Sequence, residues 1–145
     1  MMYPEQIVQP MRQELTRLGV LELRTAGDVD AKLQDLKGTA MVIVNSVCGC
    51  AARNARPAIA AAMSHAIKPD ASYTVFAGQD TAATQRAREY FTGYAPSSPS
   101  IALLKDGEVV FMLERFRIEG RSAEQIGSDL KNAFDRFCTP AAAAA

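Results

Sequence analysis

The chain has no tryptophan, a single histidine, three cysteines and no net charge, since sixteen lysines and arginines balance sixteen aspartates and glutamates over 145 residues. Each shortage narrows the function. Without a basic block there is no electrostatic footprint for a phosphate backbone, so no nucleic-acid partner is expected. No apolar run approaches the roughly 20 residues needed to cross a bilayer, so no membrane partner is expected either. The first residues, MMYPEQIVQPMRQEL, show no basic start followed by an apolar core, and a cytoplasmic location is expected. One histidine (His65) and no second cysteine pair leave a closed four-ligand zinc site unwritten, and no metal or cofactor is assigned. Three cysteines, an odd number, do not make a secreted disulfide framework and point instead to reactive or metal-bound thiols.

What is present is an ordinary globular balance, 48% hydrophobic and 22% charged residues, at a length that buries one core without staples. Residues 1–138 read as a single domain and 139–145, TPAAAAA, as a low-complexity tail. Ile7, Val8, Met11, Leu15 and Leu18 recur at helical spacing between about Pro4 and Leu18, and Gly19 stops that helix. Val20 to Arg24 alternates as a short strand. Asp28 or Asp30 caps a helix running through Leu33 and Leu36 to Gly38. Ala40 to Ser46 is almost continuously apolar, the pattern of a central strand covered on both faces.

A helix is expected from Cys50 to about Ile67, kinked at Pro57. A strand over Ser72 to Gly78 follows, then a helix capped by Asp80 and reaching about Phe91. GYAPSSPS is a loop. SIALLKDGEVVFMLE reads as two strands turned at Asp106-Gly107. Ser122 and Gln125 form a capping box for a last helix that buries Ile126, Leu130, Ala133, Phe134 and Phe137. Strands alternating with helices, then a hairpin and a helix, imply an α/β domain: a mixed central sheet with helices on both faces and an extra N-terminal helix.

Two of the three cysteines, Cys48 and Cys50, sit one glycine apart in VNSVCGCAARNARP. A staple, half a metal site and a redox pair are the choices. As a staple the pair fails, because closing so short a loop removes little unfolded-state entropy. In extended chain the two alpha carbons would also stand about 7 Å apart, so the backbone must bend, and Gly49 tolerates that bend even at positive φ. A bond so tight is easily reduced, which suits a cycling disulfide. Cys48 falls where a central strand ends and a helix begins, a place that favours thiolate. Arg53 and Arg56 add positive potential or stand solvated on the helix face. A two-coordinate copper(I) site on the two thiols stays open as an alternative. His65 reads as a helix-surface residue, and Cys138 as a core residue or a third working thiol. The second element is APSSPSIALLKDGEVV, where a proline opening a strand fits a cis Ser98–Pro99 bond.

Together NSVCGCAARNARP, FAGQD, YAPSSPSIALLKDGE and IEGRSAEQI resemble the bacilliredoxin family, thioredoxin-like proteins with a CGC motif, across nearly the whole chain. The resemblance implies the thioredoxin-like fold over roughly residues 20–138. It also implies a thiol–disulfide oxidoreductase that reduces mixed disulfides between protein cysteines and a low-molecular-weight thiol, bacillithiol. Its partners would be S-thiolated proteins and bacillithiol or a similar small thiol as co-substrate. The family roles fall on Cys48 as nucleophile, Cys50 as resolving thiol and Pro99 as the neighbouring cis-proline, with Cys138 in the place of the family's C-terminal cysteine. The chain departs from ordinary thioredoxins: no tryptophan precedes the pair, one residue rather than two separates the thiols, and the strand leading in, MVIV, holds no acid. A weak disulfide isomerase is the alternative activity on the same fold.

Overall fold

Thr39–Asn45 forms β2, and all seven of its residues are buried. The computed structural model describes residues 2–139. Strand geometry sends alternate side chains to opposite faces. Met41 and Ile43 therefore join one core with Ile59, Ile101, Leu103, Leu130 and Phe134. Val42 and Val44 join the other with Val29, Leu33, Val75, Ala102 and Leu104. A strand apolar at every position has no face to offer water, so it lies in the middle of the sheet.

The elements in chain order are α1 (Glu5–Thr16), β1 (Leu21–Glu22), α2 (Ala26–Leu33), β2, α3 (Arg56–Ala62), β3 (Ala71–Phe76), α4 (Thr81–Glu89), β4 (Ser100–Lys105), β5 (Glu108–Leu113) and α5 (Ala123–Phe137). The sheet order is β1-β3-β2-β4-β5. β1, β3 and β2 run parallel, while β4 and β5 run antiparallel. Residues of α3 and α5 build the first core with Leu15 of α1, and residues of α2 and α4 build the second, so the expected two-faced mixed sheet is present. The hairpin turns through Asp106 (φ 51) and Gly107 (φ 87), the left-handed pair a two-residue turn requires. From residue 140 onward the expected tail lies outside the described residues.

Several boundaries differ from the sequence reading, each for a local reason. The strand expected over Val20 to Arg24 pairs only at Leu21–Glu22. α2 is capped by Thr25, not by Asp28 or Asp30, and Asp28 instead returns the bond as the third residue of a capping box. The segment after Cys50 begins as a π-helical turn, Ala51–Ala55, in which Arg56 N–H reaches Ala51 O. Pro57 lies, as expected, inside a helical run that is unbroken from Gly49 and passes through the π turn, and the run stops at Ala62 rather than Ile67. The capping box of Ser122 and Gln125 on α5 is present as expected, although Phe137 is only half-buried.

The largest departure is on α1. Ile7 is 53% exposed, whereas Arg12 is 2% exposed. Arg12 donates from Nε to Glu5 (2.7 Å) and from Nη1 to Glu22 (2.8 Å) and Asp80 (2.6 Å), and its guanidinium lies 5.2 Å from the Phe76 ring centre. Asp80 occupies the N-cap position of α4, yet its side chain makes no capping bond because it is turned to Arg12. A buried cation is tolerable only when paired, and here the pairs fasten α1 to β1 and to the start of α4. Arg12→Met should lower unfolding stability by about 2 kcal/mol in a urea titration, below the usual 3–5 for a broken buried pair because Glu5 and Glu22 keep contact with water. An unchanged midpoint would show that the cluster does not hold α1 in place.

Candidate active site

β2 ends in two buried polar residues, Asn45 and Ser46, which turn the chain toward Cys48. Their hydrogen bonds explain why polar groups follow so apolar a strand. Asn45 Oδ1 accepts from Ser46 N (2.9 Å) and from Arg56 Nη1 (3.0 Å), while Asn45 Nδ2 donates to Met11 O (3.3 Å). Arg56 Nη1 also donates to Ser46 O at 2.9 Å. Glu14 Oε1 lies 3.1 Å from Arg56 Nε but off the N–H direction, an ion pair rather than a hydrogen bond. Arg56 is thus 3% exposed and clamps the strand exit, so neither expected role, a solvated arginine or a source of potential at the thiols, describes it.

Cys48 and Cys50 are both free and half-buried, their sulfurs 2.8 Å apart. Ser46 Oγ donates to Cys48 Sγ at 3.2 Å and accepts from Cys48 N at 3.3 Å. The carbonyl of Cys48 accepts from Ala51 N and Ala52 N, which starts the turn that carries Cys50 back toward Cys48. Gly49 does not adopt the positive φ allowed for in the sequence. An added Cβ would meet the guanidinium of exposed Arg53 (Nη2 at 2.5 Å, Nη1 at 2.8 Å), the flexible end of a side chain that can move aside. Arg53 therefore lies against the peptide between the two thiols.

The two thiols are shifted in opposite directions. For Cys48 burial opposes ionisation, but hydrogen bonds from the Cys50 thiol, the Ser46 hydroxyl and the backbone N–H groups of Ala51 and Cys50 outweigh it and hold the thiol below its ordinary value. For Cys50 burial raises the pKa, and the neighbouring Cys48 raises it further by hydrogen bond and by charge, against a weaker pull from Arg115. Of the two, Cys48 is the thiol favoured to ionise, and Cys50 the one that keeps its proton.

Pro99 is buried, its bond to Ser98 is cis, and it precedes the Ser100–Val44 pair that joins β4 to β2. The segment before it is held by two arginines: Arg88 Nη2 donates to Ser97 O (3.3 Å) and Arg115 Nη1 to Ser98 O (3.1 Å). The topology brings Cys48, Cys50 and Pro99 to one end of the sheet. Cys138 is elsewhere. It is buried at the C-cap of α5, raised by burial and near Thr39, Asp70 and Lys105, at the other end of β2. Seven strand residues separate those ends by about 20 Å, too far for exchange with Cys48. His65 approaches Asp135 at 2.8 Å, and among the described residues no three His, Cys, Asp or Glu side chains cluster as a metal site would need.

Ser46, Asn45 and Arg115 were not singled out as site residues. Only the first two left a trace, as an Asn-Ser pair closing an otherwise apolar run; Arg115 lies 65 or more residues from either thiol in sequence, and its proximity is a tertiary fact.

A paired, unequally ionised dithiol at the strand ends of this sheet defines a thiol–disulfide oxidoreductase of the thioredoxin-like fold. Solved structures agree on the fold: one described as having a thioredoxin fold has a TM-score of 0.53 at 17% identity, covering 74% of this chain and 92% of its own. The Malassezia sympodialis thioredoxin has a TM-score of 0.51 at 15% identity, covering 81% and 90%. Residues 3–138 match the family model described as "Disulphide isomerase". A bacilliredoxin of Koribacter versatilis is 57% identical over 99% of both chains. One of Salinibacter ruber is 54% identical over 95% of this chain and 82% of its own, and one of Bacillus licheniformis 53% identical over 94% and 95%. The chain belongs to the bacilliredoxin family.

Timed alkylation with peptide mapping should label Cys48 before Cys50. The Cys48 rate should rise through a pH midpoint below that of an ordinary cysteine and level off above it. Cys50→Ala removes the thiol hydrogen bond and should move that midpoint upward, as should Ser46→Ala, while Cys138→Ala should not move it. Faster labelling of Cys50 would reverse the two roles.

Proposed function

We propose that the protein reduces mixed disulfides between protein cysteines and bacillithiol or a similar small thiol, with Cys48 as nucleophile, Cys50 as resolving thiol and Pro99 beside them. The observation that carries this reading is the approach of the two sulfurs to 2.8 Å at the strand end, with Ser46 Oγ donating to Cys48 alone; the opposite shifts of the thiols accord with it. The Cys48 thiolate attacks the small-thiol sulfur of the mixed disulfide; a new S–S bond forms, and the protein cysteine leaves as thiolate. Cys50 then loses its proton, attacks Cys48 Sγ and expels the small thiol, leaving a Cys48–Cys50 disulfide. Two electrons and two protons from an external reductant restore the dithiol.

Cys50 is suited to the second step because its raised pKa keeps it protonated while Cys48 attacks. Once Cys48 is in a disulfide its charge is gone, and with it one of the causes that hold the Cys50 proton. Arg115, whose charge acts on both sulfurs, favours the Cys50 thiolate at that stage. Intracellular exchange of this kind places the protein in the cytoplasm; no helix among the described residues is long and apolar enough to cross a membrane. Residues 1–138 act as one domain in this reading, with 139–145 as a tail outside the chemistry.

Disulfide isomerisation is the second reading, favoured by the description of the matched family model. It uses the same attack by Cys48, but on protein–protein disulfides.

With a protein carrying bacillithiol in mixed disulfide, Cys48→Ser should abolish release, since no thiolate remains. Cys50→Ser should complete the first step and stop, so that mass spectrometry finds one small-thiol adduct on Cys48. A wild-type protein that releases no bacillithiol, with an unmodified Cys48 in Cys50→Ser, would sink the proposal. Refolding of a scrambled disulfide substrate without small thiol, at a rate above mixed-disulfide reduction, would favour the isomerase.

A further inference from the structure

Among the described residues every other buried or half-buried arginine meets a carboxylate: Arg12 meets Glu5, Glu22 and Asp80, Arg56 meets Glu14, Arg86 meets Asp30, and Arg121 meets Asp129. Arg88, in the last turn of α4, meets none. It is half-buried, its Nε is buried and donates to nothing, and its one bond is to Ser97 O. A guanidinium has five N–H donors in a planar fork that matches a carboxylate. Burial without a counter-charge weakens its hold on its proton, the sign of a cation desolvated and left unpaired.

Arg88 lines a cleft of about 560 Å³ together with Gly78, Thr81, Gln85, Tyr94 and Pro96. The acid in that lining, Glu89, is already held by Arg86. The cleft lies at the thiol end of the sheet. Gly78 follows β3, whose last residue Phe76 pairs with Asn45 at the strand exit, and Tyr94 and Pro96 lead into Ser97, Ser98 and Pro99. Adjacent carbonyls of that segment are held by Arg88 and by Arg115, so the segment that leads to Pro99 borders the cleft at one end and reaches the thiol end of the sheet at the other. The volume suits a small molecule rather than a folded chain.

We propose that this cleft binds a carboxylate of the small thiol and that Arg88 is its specificity-determining residue. The proposal rests on the exchange reaction above, in which that thiol passes through a disulfide with Cys48; the cleft would hold its acidic part while the sulfur reacts.

Two measurements test it. In the first, one neutral peptide is presented as a mixed disulfide with mercaptosuccinate or with the uncharged mercaptoethanol, and kcat/KM is compared. The wild-type protein should favour the dicarboxylate by about tenfold, the usual worth of a charge-assisted hydrogen bond. Arg88→Gln should bring the ratio near one, and Arg88→Lys should keep part of it. Gln85→Glu, on the exposed lining, should depress the ratio without touching Arg88, which covers the case in which Arg88→Gln does not fold. In the second, succinate is titrated into the Cys48→Ser/Cys50→Ser protein by NMR, where no exchange can occur; shifts should appear at Thr81, Gln85 and Arg88 and vanish in Arg88→Gln. Binding of succinate without turnover of any mixed disulfide would count against the exchange reaction and leave the cleft standing. Equal ratios in wild type and Arg88→Gln, or a preference that follows an acid on the peptide instead of the thiol, would overturn the proposal.

Discussion

The site depends on a buried guanidinium. Arg56 belongs to α3, yet its Nη1 is spent on Asn45 and Ser46 at the end of β2, and Glu14 of α1 supplies the counter-charge. A cation at 3% exposure is costly unless its partners are in place, so the strand exit, the start of α3 and the middle of α1 form one assembly or none. Asn45 completes it by donating to the Met11 carbonyl. Ser46 is held from both sides, its N–H by Asn45 and its carbonyl by Arg56, and that leaves its hydroxyl aimed at Cys48.

From that fixed point the chemistry follows by short range. One residue between the cysteines would hold them apart in extended chain, but the turn that Ala51 N and Ala52 N close on the Cys48 carbonyl folds Cys50 back until the sulfurs meet. Hydrogen bonds to Cys48 come from four groups, whereas Cys50 chiefly suffers burial and the adjacent charge. The same proximity that stabilises the first thiolate suppresses the second, and exchange in two ordered steps needs that inequality. No ionisable group lies along β2, and the difference between the thiols is set at the strand end by burial, by hydrogen bonds and by the charge of one thiol on the other.

Arginines do different work according to what they meet. Arg12, ringed by three carboxylates, is architectural and secures α1. Arg115 and Arg88 hold consecutive carbonyls of the segment before Pro99. In a chain with no net charge, local imbalance matters more than the total: acids concentrate on Arg12, while Arg53 and Arg88 have no acidic partner among the described residues.

Much of the fold was legible from pattern. The apolar run from Ala40, the Asp106-Gly107 turn and the Ser122–Gln125 box are signals carried within a few residues, where period, φ preference and capping act without distant help. The CGC pair and Pro99 were legible for the same reason, as unusual residues at element boundaries. The burial of Arg12 in place of Ile7, the turn of Asp80 away from α4, the clamp by Arg56 and the lack of an acid beside Arg88 were not. Each depends on which charged groups meet across tens of residues, and a side chain's periodicity does not say what stands opposite it. The placement of Cys138 belongs with these. In sequence it is a third thiol of open role; only the direction of β2 sets it about 20 Å from the other two. The sequence alone determined an α/β domain with a cysteine pair at a strand end, because those features are local, and its resemblance to the bacilliredoxin family implied the thioredoxin-like fold and the redox role. That Cys48 is the thiol favoured to ionise was legible too, since the groups that lower it lie within three residues. Which charges surround the pair was decided by the tertiary structure, because that follows from distances between parts of the chain that pattern does not relate.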